Sequence, residues 1–413
     1  MILGLLANRD FRAFLLANAL ERFAASALTV LLGLQVYDLT HDPLDLGWLG
    51  LAEAIPGITL VLYGGHVADR HSRRRIMLLT TALLAVLTAG LALVTGAGQE
   101  GLVAILLVAF LSGVIRAFES PAASGLEAQV VPLNRLMQGV SLLATTGRLA
   151  DVIGPAAGGL AWAWLGPAGT YGAIAALFAL ASLALLSGGR ERSSALPSQA
   201  GEEGAWQRIA EGIRYVFGNQ LLAGSMALDL FAVFFGGATT LLPAIATDLL
   251  QTGPTGLGLL RSAASAGAMV AAVGAVRLIP QRRAGWMLHA VIAGFGVSMV
   301  VFGLSRSLPL SLAALFVSGL CDGTSMIIRR AILRLASPEA LRGRISAVRM
   351  VFIGSSNELG ALESGFAASL LGTAPAIWAG GLATLAIVGV TALVAPRLRR
   401  LDLVAMAREQ APH

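Results

Sequence analysis

Gly65-His66-Val67-Ala68-Asp69-Arg70-His71-Ser72-Arg73-Arg74-Arg75 is a short basic stretch between two apolar runs, at about 45–68 and 75–97. Each flanking run holds roughly the 20 residues that a helix needs to cross about 30 Å of hydrocarbon. Lipid offers no partner for a free backbone N–H or C=O, so such runs must be helical. The basic stretch is then the turn of a helical hairpin at one membrane face. The same alternation continues in both directions. Twelve runs fit, at about 11–37, 45–68, 75–97, 101–123, 135–165, 167–188, 221–249, 255–279, 284–305, 308–332, 342–371 and 374–395.

Composition agrees. Of 413 residues, 56% are hydrophobic and 13% charged, with a mean hydropathy of +0.78. Soluble domains run at about 45–50% apolar and about 25% charged. The net charge is +6, and all 29 basic residues are arginine. They cluster in alternate loops: Arg70, Arg73, Arg74 and Arg75; Arg135; Arg190, Arg192, Arg208 and Arg214; Arg282 and Arg283; Arg334 and Arg342; and Arg397, Arg399 and Arg400. The intervening loops carry Asp38, His41, Asp42, Asp45, Glu100 and Asp248, with Arg306 as their one arginine. This bias predicts a multi-pass membrane protein with both termini cytoplasmic, and not a nucleic-acid binder. The single cysteine, Cys321, excludes an internal disulfide and a cysteine metal cluster. The first apolar run carries Glu21 and Arg22 and reads as a spanning helix rather than a cleaved leader.

Residues 189–220 divide the chain: 1–188 is expected to form an N-terminal six-helix bundle, 221–395 a C-terminal one, and 396–413 a cytoplasmic tail. The divider opens as a Ser, Pro, Gly and Glu linker. It then spaces Trp206, Ile209, Ile213 and Phe217 as an amphipathic helix on the membrane surface or the bundle. The halves repeat each other. Asp42–Leu49 aligns with Gly253–Leu260 at an offset of 211, Pro43 meeting Pro254. Phe110-Leu111-Ser112-Gly113 aligns with Phe316-Val317-Ser318-Gly319 at 206, an offset that also joins Pro132 to Pro338, Gly154 to Gly360, Gly159 to Gly365 and Gly166 to Gly372. Paired six-helix repeats suggest a site where the halves meet and access alternating by rocking.

The opening stretch resembles the Gly-x-x-x-Asp-Arg-x-Gly-Arg-Arg signature of the major facilitator superfamily, with Ser72 where the signature has glycine. The resemblance implies the all-α major facilitator fold, twelve transmembrane helices in two pseudo-symmetric halves, and a gating latch built from Gly65, Asp69, Arg70, Arg73 and Arg74. Glu127 is the candidate acid for Arg73. The second half lacks this motif, Pro280 falling where Asp69 maps. Gly147 and Gly154-Pro155-Ala156-Ala157-Gly158-Gly159 resemble the fifth-helix motif of the superfamily's exporters. Pro338-Glu339-Ala340-Leu341-Arg342-Gly343-Arg344, with Ser120-Pro121-Ala122 and Val131-Pro132, is similar to the branch holding the enterobactin exporter and the macrolide efflux proteins. Members of the superfamily usually work as monomers.

Charge inside a membrane is costly, so each intramembrane ion is a functional candidate. The set for proton coupling and the substrate cavity is Glu21, Arg22, Arg116, Glu119, Asp151, Asp229, Asp322 and Glu358. Arg116 matches the arginine that the superfamily ties to proton coupling, and it maps to Asp322 at the 206 offset. Glu21, Asp229 or Asp322 is the expected proton carrier, with Arg116 tuning it. Arg148 and Asp151 can pair at i,i+3, Glu363 completes the acids, and Glu53 reads as shallower. The intramembrane acids outnumber Arg22, Arg116, Arg148 and Arg349, which favours protons and cationic or neutral amphiphiles as cargo. No phosphate loop, metal-spaced histidines or hydrolase triad is present, so neither an enzyme, a cofactor nor a metal is expected. The predicted function is secondary, proton-driven export of small amphipathic molecules such as drugs. Siderophore or metabolite export, lysophospholipid or metal transport, and a non-transporting sensor are the alternatives.

Overall fold

The computed structural model describes residues 3–99, 101–188, 205–278, 281–338 and 341–409. Linker residues 189–204, Glu100, Pro280 and Glu339, and the side chains of Trp206, Arg208, Ile209, Arg342, Arg344 and Glu358, lie outside what is described. Among the described residues the chain is helical, without strands. The first helices are α1 (Arg9–Thr40), α2 (Pro43–Arg70), α3 (Arg73–Gly96) and α4 (Leu102–Val130). Leu136–Leu186 has 51 helical residues, roughly 75 Å at 1.5 Å each, too long for one crossing. It bends at Gly166 (φ +70°) into limbs α5 (136–165) and α6 (167–186). Then come α7 (Ala205–Gly218), α8 (Gln220–Phe235), α9 (Gly253–Leu278), α10 (Ala284–Leu304), α11 (Leu308–Ala336), α12 (Arg342–Leu371) and α13 (Thr373–Val394). Apart from α7, these follow the twelve-span order. Leu62, Val103 and Trp164 are each 80% exposed on them, as lipid-facing side chains are.

Local chemistry sets the ends. Asn8 caps α1, accepting from the Asp10 and Phe11 amides, and Asp42 caps α2 ahead of Pro43. Ser72 caps α3, its hydroxyl accepting from the Arg75 amide at 3.2 Å. Its φ of −60° needs no glycine, which accounts for the departure from the superfamily signature. The seventh span is not the continuous 221–249 helix expected. Gly236 and Gly237 end α8, and a three-residue turn at Leu242–Ala244 and a π-turn at Ile245–Leu249 follow. Paired glycines weaken the helix, and Pro243 has no N–H to continue it.

Two compact units emerge: Met1–Gln199 with Ala246–Ser262, and Ala200–Ile245 with Ala263–His413. The first therefore takes in the broken end of the seventh span and the start of α9. Within it α1 packs on the α5–α6 element and α2 on α4, around Phe11, Phe14, Met77, Leu126 and Leu185. In the second, α10 packs on α11 and α13, and α8 on α12, around Leu222, Leu288, Ile328 and Leu398.

The repeat holds at atomic scale. A Cβ on Gly113 would stand 2.9 Å from the Glu53 carbonyl carbon on α2, and one on Gly319 would stand 2.7 Å from that of Ala264 on α9. A Cβ on Gly154 would meet the Phe23 carbonyl oxygen at 2.8 Å, and one on Gly360 the Phe234 Cα at 2.9 Å. Each pair respects the 211 and 206 offsets. Gly166 and Gly372 also share a positive φ, +70° and +92°, at the joint leading into the last span of each half.

The tail read as separate from the bundle is partly docked. Leu398, Leu401 and Leu403 are buried in the second unit, and Leu401 O accepts from the Gly285 amide at 3.2 Å. α7 packs through Val216, and the Tyr215 hydroxyl donates to Ala336 O at 3.1 Å, while Ile213 and Phe217 stay exposed.

Candidate transport site: two charge clusters

In the first unit the close crossing at Gly113 brings α4 against α2. One turn on, Arg116 forms an ion pair with Glu53 and donates to Thr29 Oγ1 of α1 at 3.4 Å. Glu53, read as shallow, is thus the arginine's partner. Glu21 lies within electrostatic reach of Arg116, Arg22 and Asp151. Glu119 is 6% exposed, and its Oε1 has no hydrogen-bond partner. Arg22 and Asp151 pair at 3.4 Å with half-open side chains, so Asp151 turns to α1 rather than to Arg148 on its own helix. Arg148 and Arg261 remain within its electrostatic reach.

In the second unit Arg329 of α11 is 7% exposed and forms an ion pair with Asp229 of α8. Its Nη2 also lies 3.8 Å from Asp322, two turns earlier on α11, whose side chain is 43% exposed. Two crevices adjoin the guanidinium. Ser225, Arg349 and Ser356 contribute to one, and Phe295, Cys321 and Ser325 to the other. The Arg329 Nε and Ser325 Oγ are buried without a partner. Arg116 and Asp322, which map onto each other in the repeat, each find an ion partner inside their own unit.

The basic turn makes a clasp in the first unit. Arg73 donates to Asp69 at 3.4 Å and to Gly125 O at 3.2 Å, not to Glu127. Arg74 donates to Leu185 O at 2.8 Å and lies 3.8 Å from Asp10, tying the start of α3 to the end of α6 and the start of α1. Arg70 is exposed. The glycine demanded by packing is Gly64, where a Cβ would stand 3.1 Å from Phe118 Cα, whereas Gly65 faces open space. On α5, Gly147 lies against Arg22, Gly154 against Phe23 and Ser26, and Gly158 against Ala27 and Leu31. Gly159 lies against Pro254 and Gly258, and Gly258 in turn meets Pro155, all within the same unit. The helix-five motif is thus a two-sided packing surface.

Residues 3–413 match the transmembrane secretion effector family of the major facilitator superfamily. The chain belongs to that family. It is 27% identical over 394 residues to the enterobactin exporter EntS of Shigella boydii, covering 94% of this chain and 92% of that one. It is 26% identical over 393 residues to EntS of Escherichia coli O139:H28, with the same coverage of 94% and 92%. Among solved structures, the nucleoside transporter NupG superposes with a TM-score of 0.73 at 13% identity, over 97% of this chain and 99% of that one. A POT family transporter in complex with 5-aminolevulinic acid gives 0.74 at 13% identity, over 95% and 97%. These likenesses fix the major facilitator fold.

This secretion effector is a multi-pass inner-membrane transporter, and its family works without a resident cofactor. Among the described residues no group of three or more His, Cys, Asp or Glu side chains could hold a metal ion. Its Arg329 and Arg261 were legible yet missed. Both lie inside runs already drawn as spans, and Arg329 follows Asp322 by seven residues, two turns along one face. Counting them raises the intramembrane arginines named here from four to six, against eight acids, and halves the acid excess. Glu358 lies on α12, but its side chain is outside the described residues.

Proposed function

We propose that the chain is a proton-coupled exporter of small amphipathic molecules, drugs and antibiotics among them, working by alternating access as a monomer with both termini cytoplasmic. What carries the reading is Arg329, held between a buried Asp229 and a half-open Asp322. A proton reaching Asp322 from water cancels one of the guanidinium's two counter-charges and leaves Arg329 to Asp229 alone. A proton on Asp229 does the reverse. Movement of one arginine between two acids is thereby tied to one proton. Glu21 beside Arg116 is a second place where a proton can compete with an arginine.

The test is transport in proteoliposomes under an imposed pH gradient, with a cationic dye, a macrolide and a catecholate siderophore as cargo. Gradient-driven movement should be lost in Asp322→Asn or Asp229→Asn. Intact uphill transport in both, and in Glu21→Gln, sinks proton coupling through these acids. A siderophore-exporter reading stands second, favoured by the EntS relatives and by the six intramembrane arginines. Movement of the siderophore alone would select it.

A further inference from the structure

At the start of α10 the second unit holds a crevice with about 600 Å³ of open space, lined by Arg282, Arg283, Trp286, Arg399, Arg400 and Leu401. Two arginines come from the turn before α10 and two from the chain after α13, more than a hundred residues later. The docked tail brings them together. Leu398 and Leu401 are buried, and the Gly285 amide donates to Leu401 O, which fixes Arg399 and Arg400 beside Arg282 and Arg283. No ion pair compensates any of the four among the described residues. The nearest acid in sequence, Asp402, is engaged in capping the next helical turn, its Oδ1 accepting from the Val404 and Ala405 amides at 2.8 and 3.1 Å.

Topology alone requires arginines near this face, but not four converging on one crevice. The surroundings identify what the crevice takes. It sits where one spanning helix begins and another has just ended, the level at which a bilayer crossed by both helices would place its headgroups. Trp286 is 63% exposed there, and Leu393 and Val394 at the end of α13 are 78% and 70% exposed. Indole and basic side chains at a lipid-facing rim are the setting of an interfacial phosphate.

We propose that this crevice binds the phosphate headgroup of an anionic phospholipid, phosphatidylglycerol or cardiolipin, with the guanidinium groups on the phosphate and Trp286 at the acyl boundary. The site lies outside both charge clusters and does not depend on the proton-coupling reading.

The full-length protein, purified in a neutral detergent, is titrated with short-chain phosphatidylglycerol or phosphatidylcholine, and retained lipid is counted by native mass spectrometry. Wild type should retain at least one phosphatidylglycerol more tightly than phosphatidylcholine. At about fivefold per arginine near a charged surface, Arg282→Gln with Arg399→Gln should weaken that binding roughly 30-fold. Arg75→Gln, exposed on the first turn of α3 and outside the crevice, should leave it unchanged. All three positions are exposed, so folding is expected to survive. The wild-type comparison of the two lipids needs no variant. Equal retention of both lipids, undiminished binding in the double variant, or displacement of the lipid by inorganic phosphate at equal concentration would overturn the proposal.

Discussion

The two units use one crossing for different chemistry. Where α2 meets α4, Gly113 lies on the Glu53 backbone, and the Glu53 side chain reaches Arg116 one turn away. Where α9 meets α11, Gly319 lies on Ala264, so the position that supplies a carboxylate in the first unit supplies a methyl in the second. Asp322, replacing Arg116, turns along its own helix to Arg329, which is bound in turn to Asp229 of α8. The repeated halves share glycine contacts and joints but not charges. Packing here is set by the backbone and tolerates no Cβ, while an ion needs only some partner within reach. The first unit spreads its ions over half-open pairs; the second concentrates them on one buried guanidinium.

The largest expected effect tests that contrast. Arg329→Met should leave Asp229 buried and unpaired, lowering stability by about 3–5 kcal/mol. The unfolding midpoint in detergent reads this, and adding Asp229→Asn should recover most of the loss. An unchanged midpoint in the single variant would mean that the second unit is not organised around this pair. Next come Gly113→Val and Gly319→Val, each expected to cost about 1–3 kcal/mol through forced separation of packed helices. Similar losses would confirm that the crossing is the shared element, and a cost confined to one unit would break the equivalence. Gly166→Ala and Gly372→Ala should each cost about 1–2 kcal/mol because their φ is left-handed. The smallest change is Arg22→Gln, under about 1 kcal/mol for a pair whose side chains are 49% and 38% exposed. Its effect should appear instead in transport rate.

The spans were legible because the bilayer sets their length, and the halves because glycine and proline repeat at contacts that cannot drift. Partner choice was not. Ranking ions by depth along each run made Glu53 look peripheral and Glu127 look like the partner of Arg73. What decides pairing is where helices cross, and Glu53 and Arg116 are brought together by a glycine 60 residues from the acid. Arg329 stands beside Arg330 near the end of its run, where basic residues are expected to face water, so depth along the run does not mark it as buried. The break after α8 had a visible signal in Gly236-Gly237 and Pro243. No local signal showed that residues 246–262 would pack with the first unit.

The docked tail limits where the chain can be cut or extended. Leu398, Leu401 and Leu403 fill the floor beneath α10, and fully burying each contributes about 1.5–3 kcal/mol. A deletion that stops at the end of α13 therefore removes part of the core rather than an appendage. Trimming by a cellular protease at that point would act as a disposal signal, and a reporter placed after Glu409 would spare it.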